Sequence, residues 1–268
     1  ECELRQCIRK HGRITFAHFM EYALYHPTAG YYNRPPVTGA TGDYFTSPNA
    51  HPAFGASIAL FLFKAWDLLG QPEPLWVMEM GAGDEQLAKD ILDYFKTLNL
   101  PFPNIQYLSV DRAKRSLVPA NRQHQIRASR IPISNITGCI ISNELLDAFP
   151  IHRFEVQDQV ALEVYVTLNN AQNFSEVLDV PSSAKLTAQA NIIASGLPNG
   201  TRWEINPSIG AWTAEVASAI DRGFILTIDY GDLAQNLYTP RRQSGTLATY
   251  RNHVQVGSPY QRVGGQDI

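Results

Sequence analysis

The chain has 268 residues, 44% of them hydrophobic and 18% charged, with a formal net charge of −3. This suits one large α/β domain, or a domain with an insertion, and excludes a disordered chain. No long basic run occurs, Arg241-Arg242 being only a pair, so a nucleic-acid backbone is not expected as a partner.

Phe16, Phe19, Met20, Ala23 and Leu24 fall at helical spacing behind Thr15, a fitting N-cap, and the helix is predicted to end near His26-Pro27. Residues 33–48 are rich in Pro, Gly and Thr and contain Gly42-Asp43-Tyr44-Phe45-Thr46-Ser47-Pro48. A long irregular segment inside a globular chain is more often functional than idle. An apolar helix is predicted from Ala50 to Leu69, stopped by Gly70 and Pro72. Leu75–Met80 reads as a buried strand, and a helical pattern of Leu87, Ala88, Ile91, Leu92 and Phe95 follows it. Ile105–Asp111 is the next strand, reached through Pro101-Phe102-Pro103. Gly138–Ser142 and Phe224–Asp229 are two more, the last preceded by an amphipathic helix carrying Trp212, Val216 and Ile220. Strands alternating with helices predict a parallel sheet wound on both faces.

Residues 151–168 break that rhythm. His152–Val156 and Val160–Leu168 alternate like a hairpin around Gln157-Asp158. The polar stretch 170–202 has a helical middle, Ala184–Ile193, and 151–202 is expected to be an insertion capping the substrate side. The expected organisation is an N-terminal helical region with a Gly/Pro loop (1–70), a core (71–150), the inserted cap (151–202) and the remainder of the core (203–268).

Three cysteines, Cys2, Cys7 and Cys139, make neither a disulfide framework nor a zinc pattern, and Cys139 reads as a buried small hydrophobe. The histidines show no metal-ligand spacing, so no metal is expected. No apolar stretch is long enough to span a membrane, and no signal peptide is recognised at the start of the chain, a removed leader being the other reading of a sequence that begins at Glu1 rather than Met. Asn135-Ile-Thr137, Asn173-Phe-Ser175 and Asn199-Gly-Thr201 therefore read as chance sequons, and a reducing compartment is expected. No G-x-S-x-G elbow anchors a hydrolase triad.

The most informative stretch is Val77-Met78-Glu79-Met80-Gly81-Ala82-Gly83. A strand, a glycine turn and a helix form the entry of a nucleotide-type site, where glycines let a ligand approach the backbone. Gln86 stands where the dinucleotide fingerprint needs its third glycine, which argues against NAD or FAD. No Lys-Ser/Thr pair follows, which argues against a P-loop. Glu79 beside the turn suits a cationic or hydroxyl-bearing ligand better than a pyrophosphate. The E-x-G-x-G turn looks like the first motif of S-adenosylmethionine (SAM) methyltransferases. Taken alone, it also fits an ordinary strand-to-helix turn.

Asp111 ends its strand where a carboxylate can accept hydrogen bonds from both ribose hydroxyls of NAD or SAM, a solvated strand end being the other reading. Asn143-Glu144-Leu145-Leu146-Asp147 follows the strand Gly138–Ser142. Glu144 and Asp147, three residues apart, are expected to share one face of a helical turn. Two such carboxylates can hold a guanidinium and favour its loss of a proton on methylation. The alternative is capping, with Asn143 as N-cap and acids in the first turn. Asp229-Tyr230-Gly231 is placed similarly at the end of its strand.

Several blocks, in this order, resemble the MidA-like family of SAM-dependent methyltransferases. They are Phe19-Met-Glu21-Tyr-Ala-Leu-Tyr-His26-Pro-Thr-Ala-Gly30-Tyr-Tyr32, Gly42–Pro48, Glu79–Gly83 and Ser142-Asn-Glu144-Leu-Leu-Asp147-Ala-Phe-Pro150-Ile-His152-Arg153-Phe154. Glu204-Ile-Asn-Pro207, Ile228-Asp-Tyr-Gly231, Gly245-Thr-Leu-Ala-Thr-Tyr250-Arg251 and Gly265-Gln-Asp-Ile268 complete them. The resemblance implies a Rossmann-like, doubly wound methyltransferase fold with an N-terminal helical region and an inserted cap. It implies SAM bound at Gly81, Gly83 and Asp111, with Glu79 and the loop carrying Gly42 and Asp43 nearby, and an acceptor oriented by Asn143, Glu144 and Asp147. Mitochondrial members of the family methylate an arginine of a respiratory complex I subunit and assist its assembly. The implied compartment is the mitochondrial matrix in a eukaryote and the cytoplasm in a bacterium. Two departures are expected to matter. Asp84-Glu85-Gln86 stands where many relatives carry a further small residue, and relatives continue past Ile268. A non-catalytic SAM-binding assembly factor and a small-molecule methyltransferase are the competing readings.

Overall fold

The computed structural model describes residues 1–34, 38–39, 42–98, 104–113 and 123–268. The connection Pro101-Phe102-Pro103 lies outside the described residues. In chain order, the first elements are α1 (Cys2–His11), β1 (Ile14–Thr15) and α2 (Phe16–Tyr25). Next come α3 (Ser47–Ala50), α4 (Ala53–Leu68), β2 (Leu75–Met80), α5 (Gln86–Thr97), β3 (Ile105–Asp111), β4 (Gln123–Arg127) and β5 (Ile136–Asn143). The middle of the chain carries β6 (His152–Gln157), β7 (Val160–Leu168), β8 (Phe174–Asp179), α6 (Ala184–Ala194) and β9 (Arg202–Ile205). The last elements are α7 (Ser208–Ala219), β10 (Ile220–Ile228), the one-turn α8 (Ala234–Leu237), and the short pair β11 (Tyr250–Arg251) and β12 (Val254–Gln255). Two compact units result. One joins Glu1–Tyr31, Ala148–Ser208 and Gly231–Ile268; the other joins Tyr32–Asp147 and Ile209–Tyr230.

The second unit is an open parallel sheet in the order β10-β5-β2-β3-β4. Because strand side chains alternate, each core strand offers one apolar row to each face. Met78, Met80, Leu108, Val110 and Ile140 form one row, closed by Val216 and Ala219 of α7. Val77, Tyr107, Cys139 and Ile141 form the other, closed by Leu62 and Trp66 of α4 and by Leu87, Ile91 and Phe95 of α5. Helices on both faces make the doubly wound α/β layer that the alternating pattern predicted. The chain leaves β2 for β3 and β4 on one side, then returns to β5 and β10 on the other. Strand order therefore reverses between β2 and β5, and in open α/β sheets ligands bind at such a switch point, beyond the carboxyl ends of the strands.

Two local expectations change, and one strand has no counterpart in the sequence pattern. The helix predicted over Ala50–Leu69 is two helices, α3 and α4, separated at His51-Pro52. A residue preceding proline is pushed out of the α region, and His51 is extended, with φ −162° and ψ 138°. Ile220, expected on a helix, begins β10 instead. The polar run Gln123–Arg127 forms β4, a strand at the edge of the sheet where no apolar pattern is required.

The first unit holds an antiparallel sheet, β1-β7-β6-β9, with β8 also paired to β7. The expected hairpin is present as β6 and β7. Its turn lies at Asp158-Gln159, whose φ angles of 49° and 64° give the twist that suits a two-residue hairpin loop. Phe154 stacks on Trp203 at 5.7 Å and packs with Leu186 and Ala190 of α6. The next residues along each strand face the other way. There Arg153 Nη1 donates to Glu176 Oε1 at 2.6 Å, while Arg202 donates to Glu155 and to Glu176, both at 2.7 Å. Thr15 caps α2 by accepting the His18 N–H. The preceding α1 buries only Leu4 and Ile8, too sparse a pattern to announce a helix in a polar run.

Among the described residues no helix is long and apolar enough to cross a membrane. None of them form a group of three or more His, Cys, Asp or Glu able to hold a metal ion.

Candidate cofactor and active site

Parallel register brings four strand ends level. Met80 pairs with Val110 on one side and Ser142 on the other, and Asn143 pairs with Ile228. At the end of β2 the chain turns through Gly81 and Gly83, with φ of 73° and 56°. A Cβ on Gly81 would lie 2.8 Å from Leu145 Cδ1, so this turn tolerates no side chain without displacement. The Gly81 and Ala82 N–H groups both donate to Val110 O, at 2.8 and 3.2 Å. Asp111 then ties the turn to β3. Its Oδ2 accepts the Gly83 N–H at 2.9 Å, and its Oδ1 accepts the Ala113 N–H at 2.7 Å. An ionised carboxylate has about four acceptor directions, so both oxygens can take a further donor such as a ribose hydroxyl.

Glu79 is buried, and its Oε2 accepts the Tyr107 hydroxyl at 2.7 Å. Tyr107 sits two residues before Ser109, the cross-strand partner of Glu79, and so shares its face. Burial pushes the Glu79 carboxyl up to about 8; the Tyr107 hydrogen bond opposes this, and the Glu85, Asp84 and Asp111 carboxylates add to it. Glu79 is thus largely neutral at pH 7. Burial and the adjoining Glu79 also hold the Tyr107 hydroxyl well above its usual range. Glu85, at φ 62°, is buried with Oε2 accepting from Gln125 Nε2 at 2.5 Å, while Oε1 has no partner among the described residues. Beside the neutral Glu79, three acids, Asp84, Glu85 and Asp111, gather around the glycine turn. That set repels a pyrophosphate and favours a ligand bearing positive charge, which is the chemistry of the ammonium and sulfonium of SAM.

The end of β5 departs from expectation. No helix follows it, so Glu144 and Asp147 do not share a helical face and Asn143 caps nothing. Glu144 takes φ 49°, outside the right-handed helix region, and its N–H donates to Ile228 O at 2.8 Å. Asp229 Oδ2 then takes the Leu145 and Leu146 N–H groups at 3.1 and 2.7 Å, in place of any helical ladder. Asp147 lies exposed on the turn beyond. Asn143 Nδ2 donates to Glu144 Oε1 at 3.2 Å, which fixes the amide orientation, and the buried Asn143 Oδ1 has no partner among the described residues. Gly42 and Asp43 are half-buried in the loop before α3, where the Gly42 N–H donates to Gly39 O at 2.9 Å.

The structure therefore gathers Glu79, Gly81, Gly83 and Asp111 on one side of the switch point and Asn143 and Glu144 on the other. Sequence reading leaves Tyr107, which faces Glu79, unassigned; it places Asp229 at a strand end, and the structure shows that this residue shapes the turn after β5. Tyr107 could have been found from its period-two placement in β3, since a buried carboxyl needs a neighbouring donor.

Residues 57–268 match the family described as "Putative S-adenosyl-L-methionine-dependent methyltransferase". The chain belongs to this family. Among its relatives is the Caenorhabditis elegans "Protein arginine methyltransferase NDUFAF7 homolog, mitochondrial", 27% identical over 93% of this chain and 64% of that protein. The human "Protein arginine methyltransferase NDUFAF7, mitochondrial" is 26% identical over 84% of this chain and 57% of that protein. The chain thus spans less than two thirds of the length of these relatives. A Burkholderia thailandensis protein described as a "likely methyl transferase", crystallised with S-adenosyl-homocysteine (SAH), superposes with a TM-score of 0.86 at 27% identity. That match covers 99% of this chain and 71% of the other. The Rossmann-like methyltransferase fold implied by the sequence motifs is the fold of this family, and SAM is the family's cofactor.

Proposed function

We propose that this chain transfers a methyl group from SAM to an arginine of a protein partner, a respiratory complex I-type subunit. The observation that carries the reading is the acid-flanked glycine turn at the β2/β5 switch point of a chain in a SAM-dependent family. The arginine assignment and a mitochondrial compartment in a eukaryote both draw support from the names of the relatives.

SAM, when bound, supplies an electrophilic methyl on a positively charged sulfur. The residues of this chain then have to bind, orient and accept protons. Gly81 and Gly83 leave the backbone open to close approach, and Asp111 offers its remaining lone pairs to hydroxyls. Asn143 Oδ1, held in one orientation by Glu144, can accept an N–H from the incoming nitrogen. The carboxylate of Asp147 is suited to pair with a guanidinium. Because methyl transfer is an in-line displacement, such positioning dominates the rate.

The test is calorimetry with SAH and with NAD, followed by incubation with methyl-labelled SAM in a cell extract and identification of the labelled residue. SAH binding and label on a protein arginine are expected. NAD binding without SAH binding would sink the reading. SAH binding without transfer indicates an assembly factor that uses the cofactor structurally, and label on a small molecule indicates the third alternative.

A further inference from the structure

Two carboxylates on opposite sides of the switch point fasten the segment that carries α3. Beyond β2, Asp84 Oδ2 accepts Asn49 Nδ2 at 3.0 Å and Thr38 Oγ1 at 3.4 Å, while its Oδ1 accepts the Gln86 N–H at 3.2 Å. Beyond β5, Glu144 Oε1 accepts the Ser47 N–H at 3.2 Å. Thr46 Oγ1 donates to Asn49 Oδ1 at 2.9 Å, which turns the Asn49 amino group toward Asp84. Residues two apart in one segment, Ser47 and Asn49, therefore bond to the ends of two adjacent strands, β5 and β2. Each bond has an ionisable carboxyl as acceptor, the stronger class of hydrogen bond.

We propose that Asp84 and Glu144 are positioning residues that hold residues 44–49 across the switch point as one wall of the cofactor site. Glu144 acts here through the Ser47 backbone and the Asn143 amide. Asp84 acts through a side-chain pair whose donor and acceptor can be exchanged. The cofactor part of the proposal rests on the SAM reading above; the fastening itself does not.

The exchange supplies the experiment. Chymotrypsin cuts after Tyr44 and Phe45, and the cleavage rate of the ligand-free chain follows how often the segment opens. Asn49→Asp sets two carboxylates against each other and is expected to raise cleavage there by roughly tenfold or more, and to weaken SAH binding by about fivefold or more. Adding Asp84→Asn restores the pair with the roles reversed and should return both quantities to within about threefold of the parent. On the other side, Glu144→Ala should raise cleavage, while Glu144→Gln, which keeps an acceptor for the Ser47 N–H, should not. Parental cleavage in Asn49→Asp, or a double variant as open as the single one, would overturn the fastening. Raised cleavage with an unchanged SAH dissociation constant would remove the segment from the cofactor site. Failure of the parent chain to bind SAH overturns the function reading and the cofactor role together, and the cleavage comparison still decides whether the two carboxylates hold the segment.

Discussion

The Gly83 N–H donates to Asp111 Oδ2 at 2.9 Å, so the acid that ends β3 holds the glycine turn that ends β2. Asp111 therefore has two duties at the proposed site, setting the shape of the turn and accepting ligand hydroxyls. Asp111→Ala removes both. SAH affinity should fall by about 1–3 kcal/mol, the range for a lost hydrogen bond to a charged group. An unchanged dissociation constant would leave Asp111 as a purely structural tie.

Gly83, at φ 56°, lies where a β-branched residue is strained and where the ligand is expected to approach. Gly83→Val should abolish SAH binding while the chain stays folded by circular dichroism, at a stability cost of roughly 1–2 kcal/mol. A folded variant that binds SAH like the parent would place the cofactor elsewhere.

Asp147 lies on the turn after β5, beyond the backbone that Asp229 holds. Asp147→Asn keeps the shape and removes the charge. If the acceptor is arginine, methyl transfer should drop at least roughly tenfold, about 1.4 kcal/mol of barrier, with SAH affinity nearly unchanged. Lost SAH affinity would assign Asp147 to the cofactor; undiminished transfer would remove it from catalysis.

Glu79 gives the fold a pH dependence. Its carboxyl is raised by burial to about 8 in the folded chain, against 4.5 for the free group. Between those values the folded state keeps a proton that the unfolded state has lost, so stability falls as pH rises through the window. The limiting slope for one proton is about 1.4 kcal/mol per pH unit. Glu79→Gln mimics the neutral form and lacks this slope. Urea unfolding at pH 6 and pH 8 should show the parent losing more stability than the variant. Equal losses would mean that Glu79 is already ionised in the folded chain.

The sequence determined the core strands, the helices between them and the glycine turn, because an apolar run ending in Gly81 and Gly83 has few other uses. It also determined the hairpin β6–β7 and the cap of α2, since both are local patterns read over a few residues. It did not determine the path after β5. There Asn143-Glu144 looks like a helix start, but Asp229, 84 and 83 residues away in the chain, takes the Leu145 and Leu146 N–H groups and Glu144 turns left-handed. Nor could it show that Glu79 faces Tyr107, or that Asp84 and Glu144 both reach the segment before α4. Those contacts join residues that only the parallel register of β2, β3 and β5 brings level. Local periodicity fixes which residues form an element, whereas the partner of a buried or strand-end carboxyl depends on which strands become neighbours.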